Sequence, residues 1–254
     1  MNNPYKVHLD SFFITITDFI HSSNRINKLL LNDVKKLTAE GATFFSGTRL
    51  VIGDWTGLTD NGWKITFPTD AFKTTYKETY SQEVDKLLSR EFGLAFSQCY
   101  ESLQTFLKDS IWTKFNEDSN FKSKILNKYF DDRSNMKDGR GLFKLVKIAG
   151  GEQFKKSSKE NNNNIKFKEY YTIITEVRHC ITHSKGSLKV TKIPNDKYYS
   201  SLFEQLFPNN KLEGDTIKMN FDYTTLNRSL IYMAEFGFQI FKIFSQEMEY
   251  EWKL

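Results

Sequence analysis

Arg178, His179, Cys180, Ile181, Thr182 and His183 are consecutive, and three of the six carry side chains that move protons or hold charge. Histidine titrates near neutrality, so it can give or take a proton at physiological pH. Arginine stays charged and grips phosphate oxygens with a planar fork. His179 and His183 are four apart and share a face if the segment is helical. Arg178 and His183 are five apart, about 140° around an ideal helix, and they flank a polar strip containing His179 and Thr182. The long Arg178 side chain can swing over that strip. In this arrangement His183 transfers protons, Arg178 stabilises charge developing on a phosphate, and His179 and Thr182 orient His183 or a substrate. Lys185 adds a further cation for substrate just beyond. Two other readings use the same residues. Glu176, His179 and His183 also share a face, and His-x3-His spacing suits zinc. Against zinc, there is no HExxH acid between the histidines and no nearby Cys or His pair, and Arg178 would repel a cation. A helix ending in basic residues can also simply satisfy its last carbonyls, and His183 and Lys185 stand where that works.

The element that positions these residues is an amphipathic helix over Tyr170 to Gly186. Tyr170, Ile173, Ile174, Val177, Cys180 and Ile181 fall on one side at 3.6 residues per turn. Thr172, Thr175, Arg178, His179, Thr182 and His183 fall on the other. Ser184-Lys185-Gly186 should end it, with Gly in the left-handed cap and Lys against the negative helix end.

Other elements follow from their periods. Leu9 to Glu40 reads as two helices, with apolar positions at Phe12, Phe13, Ile16, Phe19 and Ile20. His21-Ser22-Ser23-Asn24 interrupts them, and they resume at Ile26, Leu29, Leu30, Val34 and Leu37. His8 and His21 stand apart from other reactive types and read as surface or cap positions. Phe44, Phe45 and Leu50 to Ile52, then Trp63, Ile65 and Phe67, read as a small antiparallel hairpin around a Gly53-to-Gly62 turn region, with a second turn at Pro68-Thr69-Asp70. Trp55 and Trp63 either stack bases or pack the hairpin onto helices. Val84 to Ile111 is the most regular stretch, a long core helix.

Phe121 to Phe130 reads as a short basic helix, and Leu142 to Ile148 as another that ends at Gly150-Gly151. Lys155 to Asn164 is a polar low-complexity loop that can offer Lys155, Lys156 and Lys159 to an RNA backbone, or simply vary. Ser187 to Ile193 and Asp215 to Asn220 are short strand-like runs in an irregular stretch. Asp222 or Thr224 then caps a last long helix through Leu226, Leu230, Met233, Gly237, Ile240, Phe241, Phe244 and Met248.

Composition bounds the answer. The 254 residues are 39% hydrophobic, enough for a sizeable core, and only 4 are proline, which favours unbroken helices. A net charge of +5 permits nucleic-acid contact without requiring it. Cys99 and Cys180 sit on apolar stripes and read as reduced core thiols. The start, MNNPYKVHLD, lacks the basic and apolar regions of a signal peptide, and no stretch approaches the ~18 apolar residues of a membrane span. The expected location is the cytoplasm. No GxSxG elbow, Walker loop or GxGxxG occurs.

Arg178-His179-Cys180-Ile181-Thr182-His183, late on an amphipathic helix, resembles the R-x4-6-H motif of the HEPN superfamily (higher eukaryotes and prokaryotes nucleotide-binding). In that family the position after Arg is often Asn; here it is His179. The context also resembles the family over about residues 82 to 247: a long helix upstream, a polar loop before the motif helix and a long apolar helix after it. The resemblance implies a mainly α fold, a helical bundle over residues 81–254. Residues 1–80 would add a helical segment and the β hairpin, and minor β elements precede the last helix. It implies metal-independent RNA cleavage that leaves a 2′,3′-cyclic phosphate, with no cofactor, in a toxin or anti-phage effector restrained by an antitoxin or other regulatory protein. It implies a homodimer that pairs two motif helices into one cleft, and it brings Glu101, an acid on the first long helix, near the motif. The alternative is a non-catalytic module of the same family that binds nucleic acid, nucleotide or a partner protein.

Overall fold

The computed structural model describes residues 3–59, 61–62, 64–126, 128–159 and 161–253. Among them the chain forms eight α-helices and two small antiparallel sheets, so the fold is mainly α. It divides into two compact units, Met1–Arg25 with Ser89–Leu254, and Ile26–Leu88. The division falls inside two helices, α1 (Lys6–Leu37) and α2 (Lys77–Glu117).

The larger unit is built on the apolar stripe of α2. From Phe92 through Phe96, Cys99, Leu103, Phe106, Leu107 and Ile111 this stripe is buried. The helix extends past the expected end, to Glu117, because residues 112–117 include no Gly or Pro to stop it. α6 (Phe167–His183) and α8 (Tyr223–Glu247) complete the core with Tyr170, Ile173, Ile174, Val177 and Cys180, and with Leu226, Leu230, Met233, Ile240, Phe241 and Phe244. Burial pushes both thiols, Cys99 and Cys180, up to about 12, as suits core residues that do not react.

Asp222 begins α8 and accepts the Thr225 N–H at 2.7 Å. Burial alone would raise its carboxyl, but the bonds from Thr225, Asn209 and its own backbone together outweigh that and hold it below the ordinary value. Its cap therefore contributes above the usual carboxylate range and is lost as pH falls through the lowered value. Asp222→Ala is expected to cost about 1 kcal/mol at neutral pH, and less in acid. Melting curves at the two pH values check this, and an equal cost at both would contradict it.

Several elements differ from the sequence reading, each for a local reason. α1 has no break at His21 to Asn24: the four polar residues include no Gly or Pro, Ser22 Oγ donates to the Asp18 carbonyl at 2.8 Å, and Ser23 is buried. His8 is half-buried, with Nε2 3.0 Å from Thr113 Oγ1. The basic helix is shorter, α3 (Ser119–Ile125), capped by Asp118, and α4 covers Arg140–Ala149. Lys155 and Lys156 lie in a further helix, α5 (Gly151–Ser157), rather than a loop. Glu247 of α8 accepts the Gln153 N–H at 2.9 Å and so serves the start of α5. Asn161 and Asn164 are held by hydrogen bonds: the Asn161 amide donates to the Ile165 carbonyl at 2.7 Å, and Tyr198 donates to the Asn164 carbonyl at 2.7 Å. The region after Gly186 holds α7 (Lys197–Leu206), with Asp196 accepting the Tyr198 N–H at 2.8 Å. β3 (Ser187–Lys189) and β4 (Thr216–Lys218) pair antiparallel on either side of it in the sequence.

In the smaller unit, β1 (Phe45–Leu58) and β2 (Lys64–Tyr76) pair antiparallel. They are longer than expected because Pro68-Thr69-Asp70 is not a turn. The register passes from Arg49↔Phe72 to Val51↔Pro68, so β2 bulges there. Thr69 Oγ1 donates to the Leu50 carbonyl at 2.9 Å and holds the bulge. Several of the hairpin's large side chains stand exposed, among them Phe45, Val51, Phe72 and Trp55, the last at 92%. Trp63, named with Trp55 as a platform for bases, lies outside the described residues. Phe45 and Tyr76 are cross-strand partners with ring centres 5.5 Å apart, as aromatic pairs on one face of a hairpin prefer.

Candidate functional site at the end of the motif helix

α6 positions the candidate residues because its apolar face fixes its rotation. With Tyr170, Ile174 and Val177 inward, Thr182, His179 and His183 face solvent and Arg178 lies part-buried at the margin. The helix ends where expected, at Ser184, although Lys185 enters the left-handed region (φ 51°) ahead of Gly186 (φ 77°). Ser184 N–H and Gly186 N–H both donate to the Cys180 carbonyl, at 3.0 and 2.9 Å. Lys218 Nζ donates to the Lys185 carbonyl, which ties β4 to the helix end.

Glu101 and Arg178 come together. Arg178 Nη2 forms an ion pair with Glu101 Oε1, their side chains 28% and 42% exposed. The contact is close but not aligned as a hydrogen bond, and among the described residues neither Glu101 Oε1 nor Arg178 Nε has a hydrogen-bond partner. The guanidinium carbon lies 6.0 Å from the centre of the Tyr100 ring. Tyr100 is buried, and its hydroxyl is 2.8 Å from Thr175 Oγ1 and 2.9 Å from the Gln104 side-chain amide. Arg178 therefore rests on a fixed aromatic floor beside one carboxylate. Sequence reasoning missed Tyr100. Its only signal was its place beside Glu101 on the margin of the α2 stripe.

His179 and His183 stand side by side, ring centres 4.7 Å apart and tilted by 46°. Neither ring has a hydrogen-bond partner among the described residues, so both are open to a ligand. Thr182 does not orient His183: its hydroxyl donates back to its own helix, to the Arg178 carbonyl at 3.1 Å and the His179 carbonyl at 3.3 Å. Lys185 is exposed just past the helix end. Glu176, the third member of the zinc alternative, pairs instead with Arg140 at 3.2 Å. Among the described residues no group of three or more His, Cys, Asp or Glu is placed to hold a metal ion.

The geometry can hold a proton carrier and a cation on one open surface. No family model, curated protein or solved structure matches the chain. Fold and site together define a mainly helical protein whose motif helix presents Arg178, His179 and His183 at its C-terminal end. No helix among the described residues is long and apolar enough to cross a membrane.

Proposed function

We propose that the chain is a metal-independent endoribonuclease of the HEPN type, a cytoplasmic toxin or anti-phage effector held in check by a partner protein. The observation that carries this reading is the exposed His179–His183 pair beside an arginine held in place by Glu101 and Tyr100. RNA supplies its own nucleophile, the 2′-OH. A base removes its proton, the 2′ oxygen attacks phosphorus, the bond to the 5′ oxygen breaks, and an acid protonates that oxygen. His183 serves one proton transfer and Arg178 stabilises the charge on the phosphorane. A second motif helix, from another protomer of a homodimer, supplies the second carrier. Glu101 fixes the fork of Arg178, and His179 and Lys185 contact RNA.

Cleavage of a mixed RNA pool by purified protein in EDTA tests the reading. Undiminished scission is expected, and loss that zinc restores would point to a metal site on Glu176, His179 and His183. One observation favours the alternative of a non-catalytic binding module. Glu101 already compensates the charge of Arg178, which lowers its pull on a phosphate. Glu101→Gln separates the two readings: it should weaken cleavage if Glu101 aligns Arg178, and strengthen RNA binding without cleavage if the pair only tunes affinity.

A further inference from the structure

The positive charge of the chain is gathered in one segment. Residues 119–159 carry eleven Lys and Arg against four Asp and Glu, a balance of +7, whereas the whole chain carries +5. Carboxylates that face the segment from neighbouring helices do not cancel this excess. Asp109 of α2 pairs with Arg133, Glu176 of α6 pairs with Arg140, and Glu247 of α8 serves the start of α5, so +4 remains. Inside the segment, Asp138 pairs with Lys108 of α2, and Glu152 with Lys155. Asp131 and Asp132 accept from Asn135 and Ser134 of their own turn, at 2.7 and 2.8 Å. Lys124, Lys128, Lys144, Lys147 and Lys156 are exposed and form no ion pair among the described residues.

α4 makes a face of this excess. Leu142, Phe143, Leu145, Val146 and Ala149 are buried, which fixes the rotation of the helix. Arg140, Lys144 and Lys147 are four and three apart and stand exposed along the other side. The rise from the first to the last is about 10 Å. Beside this line, Lys128 and Lys144 both lie over the Tyr129 ring, their ammoniums 5.6 and 5.1 Å from its centre. The ring attracts each cation and so holds two like charges close together, with no carboxylate paired to either. An anion that reaches both relieves their repulsion. The line begins beside the motif helix. Arg140 Nη2 is 3.2 Å from Glu176 Oε1, three residues before His179, and a Cβ at Gly139 would lie 3.8 Å from Thr175 Cγ2 of the same helix.

We propose that the exposed side of α4, with Lys128 and Lys144 on the Tyr129 ring, binds the phosphate backbone of a single-stranded RNA and leads it to the motif helix. The inference rests on the ribonuclease reading, which supplies the strand and its destination. Each nucleotide brings one phosphate, and lysines meet phosphates as point charges without reading bases. Affinity should therefore depend strongly on salt and little on sequence.

Fluorescence anisotropy of the full chain with a labelled single-stranded RNA, every 2′ oxygen methylated, tests it. Methylation removes the nucleophile, so binding is read without cleavage. Lys128→Ala with Lys144→Ala should weaken binding about tenfold at about 0.1 M salt, and should lower the slope of log affinity against log salt by about 1.4, the share of two phosphate contacts. Lys28→Ala with Lys35→Ala, at exposed positions of the smaller unit, removes the same charge and should leave both quantities unchanged. Both pairs should melt as wild type. Full affinity and slope without Lys128 and Lys144, or equal weakening without Lys28 and Lys35, would overturn the proposal. So would phosphatidylserine vesicles that bind through Lys128 and Lys144 while the strand stays unbound, since the face would then serve a membrane. Failure of the ribonuclease reading looks different: wild type would bind the methylated strand through these lysines, upholding the path, yet cut no unmodified RNA.

Discussion

His183→Ala is expected to lower RNA cleavage by about 10²- to 10⁴-fold, the usual contribution of one positioned proton carrier, while the protein melts as wild type. The separation is possible because His183 is exposed, on the last turn of α6, and its ring hydrogen-bonds to none of the described residues. Surface substitutions of this kind change stability by about 0.5 kcal/mol at most. RNA binding should survive, since Arg178 and Lys185 remain. Arg178→Ala should also abolish cleavage, with the fold intact. It differs in leaving the Glu101 carboxylate beside Tyr100 without its cation, so it should bind RNA more weakly than His183→Ala does. Filter binding and a gel-based cleavage assay on the two variants measure this. Unfolding of Arg178→Ala would make Arg178 a structural residue instead.

The second large effect lies in the core. Gly237 of α8 faces Phe12 of α1 so closely that a Cβ would sit 2.6 Å from Phe12 Cε1 and 3.1 Å from Cδ1. Phe12 cannot readily give way: it is buried and stacks on Phe106 with ring centres 5.7 Å apart. Gly237→Ala should therefore destabilise. Overpacking costs about 1–3 kcal/mol, and the gain from replacing a helical glycine offsets roughly 0.5–1 of it. Because Phe12 is held on both sides, the net cost should be about 1–2 kcal/mol, a fall in melting temperature of about 2–8 °C. Gly93→Ala provides the contrast. Its Cβ would meet Ile181 Cγ2 at 3.6 Å, an ordinary contact, so the helix gain should survive and stability hold or rise. Equal stability of Gly237→Ala and wild type would contradict the seating of Phe12.

The motif helix was legible because its two faces differ in every turn. Tyr170, Ile173, Ile174, Val177 and Cys180 read as core from spacing alone and the structure buries them, while Ile181, read the same way, is half-buried. α8 was legible for the same reason, with its Asp222 cap. α7 was legible in principle: Asp196 precedes Tyr199, Leu202, Phe203 and Leu206 at helical spacing, and the helix was lost among two prolines and two short strands. α5 was not legible, because part of its N-terminal capping comes from Glu247, 94 residues from the amide it accepts. Pro68 read as a turn because proline usually breaks a ladder, and only the cross-strand bond from Thr69 to Leu50 shows that a bulge absorbs it. At the site, periodicity put His179 and His183 together, but the Tyr100 floor under Arg178 is a tertiary contact that no spacing within α6 encodes.

The central claim is tested most directly by the chemistry of the cut ends. RNA cleaved by wild-type protein in EDTA should carry a 2′,3′-cyclic phosphate on one side and a 5′-hydroxyl on the other, and His183→Ala should yield neither. Ends with a 3′-hydroxyl and a 5′-phosphate, or cyclic ends that persist undiminished in His183→Ala, would contradict the account.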